Sequence, residues 1–232
     1  MRTYGAGMSD PMTATDFHER VDLPDWRWML GRIEATFAAE TFDAAARFVL
    51  DVAGAAEQAS HHPDVDLRYP GTVHLALTTH AAGGRVTEQD TALATTISAL
   101  AASAGLPPSP EAATIMEVAI DALDIDAVRP FWQAVLGYVP QPGHDDGAQI
   151  DAIVDPARIG PAYWFQQMDE PRPQRNRIHI DVTVPYDVAE QRIGDALAAG
   201  GTLVSDARAN AFWVLADPEG NEACVCTWQD RD

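Results

Sequence analysis

The sequence predicts an α+β protein of two domains: an antiparallel sheet with helices on one face, followed by a second domain built from two βαβββ-like modules. Three observations predict it. A seam, Ser103-Ala-Gly-Leu-Pro-Pro-Ser-Pro-Glu-Ala-Ala113, separates a helical pattern from a strand-like one, and proline both ends a helix and stiffens a connector. Before the seam, helical and strand periodicities alternate in the order helix, two strands, helix, two strands, helix. After it, one strand–helix–strands pattern occurs twice at almost the same spacing. A chain of 232 residues suits two small domains. The boundaries follow as a tail over 1–14, a first domain over 15–103, a Pro-rich linker over 104–113 and a second domain over 114–232.

Trp26-Arg-Trp-Met-Leu30 and Arg32-Ile-Glu-Ala-Thr-Phe37 read as two strands of a hairpin turning at Gly31. Phe42, Ala45, Ala46, Val49, Val52, Ala53 and Ala56 then recur at helical spacing, with Thr41 as N-cap. This helix runs out at Ser60, directly before His61 and His62. Val65–Tyr69 and Thr72–Thr79 form a second strand pair around Pro70-Gly71. Thr87-Glu-Gln-Asp90 is a capping-box-like start for the next helix, which carries Leu93, Ile97 and Leu100 at core spacing.

In the second domain, Glu117-Val-Ala-Ile-Asp-Ala-Leu-Asp124 leads into a helix ending near Leu136-Gly137. His179-Ile-Asp-Val-Thr-Val184 leads into one ending near Ala199-Gly200-Gly201. Strands follow each helix, over Gln149–Val154 and Ala162–Gln167 in the first module, and over Thr202–Val204, Ala211–Leu215 and Glu222–Thr227 in the second.

With 47% hydrophobic and 22% charged residues, the chain has material for packed cores. Its net charge of −20 comes from 35 acidic against 15 basic residues, all of them Arg. Such a surface repels phosphate backbones and anionic headgroups, so nucleic acid and membrane surfaces are excluded as expected partners. Cys224 and Cys226, the two cysteines, stand two apart on one strand, a geometry opposed to a disulfide. The opening MRTYGAGMSDPM lacks a signal-peptide core, and no apolar run reaches the ~18 residues of a membrane span. A cytoplasmic protein is expected.

His61 and His62 at a helix end, and His80 at a strand end, are the candidate acid–base groups, since histidine holds either protonation state near neutral pH. Alone, His-His-Pro at a helix end also suits capping or a surface role. The wider pattern is more specific: Ala56-Glu-Gln-Ala-Ser-His-His-Pro-Asp64, Tyr69, Val73-His-Leu-Ala-Leu-Thr-Thr-His80, Gly83-Gly84 and Thr87-Glu-Gln-Asp90, with Leu23-Pro-Asp-Trp26 and Phe37, Phe42 and Phe48 upstream. This resembles the pterin-4a-carbinolamine dehydratases over nearly the whole first domain.

The resemblance implies a hydro-lyase that dehydrates 4a-hydroxytetrahydrobiopterin, or a related pterin, to the quinonoid dihydropterin. It implies acid–base roles for His61, His62 and His80, pterin contacts from Pro63, Thr78 and Thr79, and orientation of a histidine or pterin contact by Glu57, which also reads as a solvated helix residue. It implies no cofactor for this domain, and a homo-oligomer. Val65 stands where relatives often carry Trp and Ala81 where they often carry an acid. An extra residue lies near Pro70-Gly-Thr72, and Arg85 interrupts the usual Gly-Gly-Leu-Thr. These departures bear on substrate fit more than on reaction class.

Asp124, Phe131-Trp132, Val135-Leu-Gly137, Arg177-Ile-His-Ile-Asp181 and Asp217-Pro-Glu-Gly-Asn-Glu222 resemble the glyoxalase/bleomycin-resistance, or vicinal oxygen chelate, superfamily over about residues 114–228. That resemblance maps a divalent metal onto Glu117, His179 and Glu222, with Gln166 or Gln167 as a fourth ligand; Asp121 shares a strand face with Glu117, and Asp181 with His179. Cys224 and Cys226 read as buried thiols or as soft ligands, and Trp132, Trp164, Trp213 and Trp228 as aromatic core or the lining of a cup for a second ligand. Two other functions stay open: a small-molecule binding or resistance protein, and a metal-dependent lyase, isomerase or dioxygenase of the second domain.

Overall fold

The structure is a computed structural model describing residues 10–141, 152–171, 178–227 and 229–230. The chain divides into two compact units, residues 1–115 and 116–232. Residues 1–9 of the expected tail, Gln149 to Asp151 of an expected strand, Arg177 and Trp228 lie outside the described residues. Among the described residues, no helix is long and apolar enough to cross a membrane.

The first unit runs α1 (Ala14–Arg20), β1 (Arg27–Met29), β2 (Arg32–Ala38), α2 (Phe42–Ala59), β3 (Asp64–Arg68), β4 (Thr72–Leu77) and α3 (Glu88–Ala104). Its strands form one antiparallel sheet in the order β1-β2-β4-β3. Alternation sends Ile33, Ala35 and Phe37 of β2, and Val73, Leu75 and Leu77 of β4, to one face, where they pack with Phe48, Val52, Leu93 and Ile97. Each of the larger of these side chains contributes about 1.5–3 kcal/mol by leaving water. Thr41 caps α2 by accepting from the Ala44 N–H at 3.1 Å, and Thr87 and Asp90 close a capping box on α3. Gly71 packs so closely on Ala39 that a Cβ there would strike the Ala39 carbonyl oxygen.

Part of the Pro-rich segment is laid on this sheet. Leu106 is buried, the Ala38 N–H donates to the Pro107 carbonyl at 3.0 Å, and the Ser109 N–H donates to the Thr36 carbonyl at 2.8 Å. The segment extends the edge of β2 beyond the point where β1 stops pairing.

The second unit repeats one module. The first is β5 (Glu117–Ala122), α4 (Ile125–Leu136), β6 (Val139–Pro140), β7 (Ala152–Val154) and β8 (Ala162–Gln167); the second is β9 (Ile180–Thr183), α5 (Ala189–Ala198), β10 (Thr202–Arg208), β11 (Phe212–Ala216) and β12 (Glu222–Cys226). The sheets have equivalent orders, β5-β8-β7-β6 and β9-β12-β11-β10, with the β5–β8 and β9–β12 pairs parallel. Ile120, Ala122 and Phe165 from one sheet and Leu215, Ala223 and Val225 from the other share a core with Phe131 and Trp132 of α4. Thus Trp132 is core. Its indole N–H donates to Asp217 at 3.0 Å, and the same buried carboxylate takes the Glu219 and Asn221 N–H groups at 2.9 and 2.8 Å. The Asp-Pro-Glu-Gly-Asn motif is therefore a turn built around one buried acceptor.

Candidate active site

The end of α2 sets the site. Ser60 closes the helix in the left-handed region, φ 49°, and the His61 N–H reaches back to the Ala56 carbonyl at 3.1 Å. This reversal directs His61 toward the N-terminus of α3. There its Nε2 lies 2.7 Å from Oδ1 of Asp90, whose side chain is fully buried. The other oxygen of Asp90 accepts from the Thr79 hydroxyl at 2.7 Å, the Thr87 N–H at 2.7 Å and the Thr87 hydroxyl at 3.2 Å. Thr79 and Thr87 also meet each other at 2.8 Å. Asp90 is therefore a node tying the end of α2 to the chain that leaves β4, one residue before His80.

The remaining predicted residues surround that node in sequence. His62 is exposed, with Nε2 3.2 Å from Oε1 of the exposed Glu57 one turn back on α2. His80 is exposed and opens a short 3₁₀ turn over His80–Ala82. Thr79 is buried, and the Thr78 hydroxyl is buried without a hydrogen-bond partner among the described residues. Pro63 is half-buried between His62 and β3. A groove of about 350 Å³ between α2 and α3, lined by Ala55, Gln58, His61, Gln89 and Ala92 among others, borders His61 but neither His62 nor His80.

Asp90 was expected only as a capping acid. The missed signal is its position: Asp90, Leu93, Ala94, Ile97 and Ala101 form the buried stripe of α3, so a carboxylate occupies a core register. A buried carboxylate needs such a set of donors.

His74 of β4 lies on the sheet face opposite the core. Its Nε2 is 3.4 Å from Oε2 of the buried Glu34, whose Oε1 takes the Arg32 Nε–H at 2.6 Å. Burial raises the Glu34 carboxyl, but the His74 hydrogen bond and the Arg32 charge outweigh it and hold the group below the usual carboxylate range.

In the second unit, the predicted ligands are not gathered as expected. Among the described residues, His179 groups with Asp181 and Cys224, their donor atoms lying within 4.8 Å of one another; Glu117 and Glu222 are not in that group. Glu117 opens β5 in the other sheet. Glu222 shares the face of Cys224 at the start of β12. The Gln167 amide is turned onto backbone carbonyls, reaching Leu123 at 2.8 Å and Met168 at 3.0 Å, while Gln166 is exposed opposite Asp121. Burial, then hydrogen bonding to and the charge of Asp181, push the Cys224 thiol up to about 12. Trp164 is partly exposed, and Trp213 packs against the core.

A family model for pterin 4 alpha carbinolamine dehydratase matches residues 10–100, and one for a glyoxalase-like domain matches residues 117–226. A protein of Chloroflexus aurantiacus assigned as a pterin-4-alpha-carbinolamine dehydratase is 54% identical over 74 residues, which cover 32% of this chain and 77% of that one. A protein of Nocardia farcinica with the same assignment is 47% identical over 94 residues, covering 40% of this chain and 94% of that one. Among solved structures, a transcriptional coactivator/pterin dehydratase from Brucella melitensis aligns at 29% identity and a TM-score of 0.37, over 40% of this chain and 99% of that one. A glyoxalase/bleomycin resistance protein from Albidiferax ferrireducens aligns at 18% identity and a TM-score of 0.38, over 50% of this chain and 98% of that one.

Proposed function

The chain belongs, through its first domain, to the pterin-4a-carbinolamine dehydratase family, and from that premise we propose that it dehydrates a 4a-hydroxytetrahydropterin to the quinonoid dihydropterin. The observation that carries the proposal is the buried Asp90 holding His61 Nε2 at 2.7 Å while its other oxygen anchors Thr79, the residue before His80.

The reaction needs one proton delivered to the 4a-hydroxyl, which leaves as water, and one removed from the adjacent ring nitrogen, with no net change in protons. Imidazoles do both near neutral pH. In this reading Asp90 is a positioning residue: with Nε2 committed to the carboxylate, His61 exchanges protons through Nδ1. His62 and His80 are the other acid–base groups, and Glu57 orients His62. Pro63 and Thr79 shape the pterin site, and the unpartnered Thr78 hydroxyl supplies a hydrogen bond to the pterin edge. The fused glyoxalase-like domain serves a second small molecule, and the enzyme works as a homo-oligomer.

The test is dehydration of freshly generated 4a-hydroxytetrahydrobiopterin above its spontaneous rate. Wild type accelerates it, and His62→Ala and His80→Ala each lower kcat roughly 10²–10⁴-fold without loss of fold, both side chains being exposed. No acceleration by folded wild type, or full activity in both variants, overturns the proposal.

A further inference from the structure

We propose that the second unit binds one divalent transition-metal ion on the β9–β12 sheet through His179 Nε2, a carboxylate oxygen of Asp181 and Cys224 Sγ. The strands dictate the cluster. β9 and β12 are parallel neighbours, with Asp181 opposite Cys224 and Ile180 opposite Ala223. Ile180, Val182, Ala223 and Val225 point into the core. Alternation therefore turns His179, Asp181 and Cys224 to the other face, where their donor atoms lie within 4.8 Å of one another.

The spacing fits an ion. His179 Nε2 and Asp181 Oδ1 pair directly at 3.2 Å, and two ligands at ~2.0–2.1 Å from a tetrahedral centre stand about 3.3 Å apart, so an ion can replace that pairing with little movement of either side chain. His179 and Asp181 are more than half exposed while Cys224 is buried, so a bound ion has protein behind it and a coordination position open to solvent. One imidazole nitrogen, one carboxylate oxygen and one sulfur select zinc, cobalt, nickel or ferrous ion over magnesium and calcium, which take oxygen ligands. On binding, the thiol proton passes to solvent as the metal–sulfur bond forms.

All three donors come from one sheet of one module, which departs from the expected set of Glu117, His179 and Glu222 drawn from both. Glu222, two residues before Cys224 on the same face, adds negative charge beside the ion. The inference is independent of the dehydratase reading.

The experiment is cobalt(II) titration of the full-length chain after treatment with chelator, read in the near-ultraviolet for thiolate-to-cobalt charge transfer. The expected result is a band that saturates at one cobalt per chain. It should disappear in Cys224→Ser, fall in His179→Ala and Asp181→Asn, and persist in Cys226→Ser. No such band in folded wild type, or a band that depends on Cys226 rather than Cys224, overturns the inference. If circular dichroism shows Cys224→Ser unfolded, the two exposed ligands decide, and an undiminished band in both His179→Ala and Asp181→Asn overturns it.

Discussion

Replacing Asp90 by Asn keeps the side chain's shape and changes one acceptor into a donor. The carboxylate takes His61 on one oxygen and Thr79 and Thr87 on the other, each at 2.7 Å at its shortest. Turned one way, the amide sets its N–H groups against the buried Thr87 N–H, an unsatisfied donor pair that costs about 1–3 kcal/mol. The other orientation is preferred by that margin. It keeps both threonines and points the amide N–H at His61 Nε2. His61 must then accept at Nε2 and carry its proton on Nδ1, the nitrogen proposed to exchange protons with substrate, as the corresponding Asp-to-Asn change does to the histidine of a Ser-His-Asp triad. The expected outcome is a folded protein, destabilised by about 1 kcal/mol as charge-assisted hydrogen bonds become neutral ones, with kcat lowered roughly 10²–10⁴-fold. Thermal melts read the first quantity, the dehydration assay at saturating substrate the second, and nitrogen NMR of the imidazole the tautomer. A folded Asp90→Asn enzyme with kcat within about threefold of wild type, a barrier change of under ~1 kcal/mol, refutes this role for Asp90.

Glu34 and Asp217 give two further expectations. Because Glu34 is held below its ordinary value of 4.5, its contribution to stability is fully present above that value and is lost as pH falls through the folded value. Glu34→Gln should therefore be less stable than wild type at neutral pH and lose stability less steeply under acid, as melts from about pH 7 to 3 would record; equal steepness in both proteins refutes it. Asp217→Ala strands the Trp132 indole N–H and the turn's backbone N–H groups, costing about 3–5 kcal/mol. Calorimetry should show the second unit melting earlier and the first unchanged, and an unshifted second-unit transition counts against the argument.

Much of this architecture is written in short-range pattern. Thr41, Thr87 and Gly137 mark helix ends by local hydrogen bonding or backbone conformation, so they can be read one turn at a time. β6 escapes such reading because two residues, one of them proline, hold no alternation. The histidines of the first domain were legible as a motif, whereas the link from His61 to Asp90 joins residues 29 apart and exists only once α2 and α3 pack. The second domain shows the converse. Its expected ligands followed a pattern of positions, while the observed cluster depends on the register that sets Asp181 opposite Cys224, which no local sequence feature reveals. The Asp-Pro-Glu-Gly-Asn motif of that domain marks a turn and a tryptophan anchor.

The hydrogen bonds of Pro107 and Ser109 to β2 matter for anyone separating the two halves of this fusion. A chain cut at residue 103, where the helical pattern ends, would expose the seat of Leu106 and leave the Ala38 N–H and Thr36 carbonyl bare on the sheet margin. Unpaired margins of this kind recruit other strands, so the shortened piece would tend to self-associate. A piece that keeps Ser109 carries its own hem.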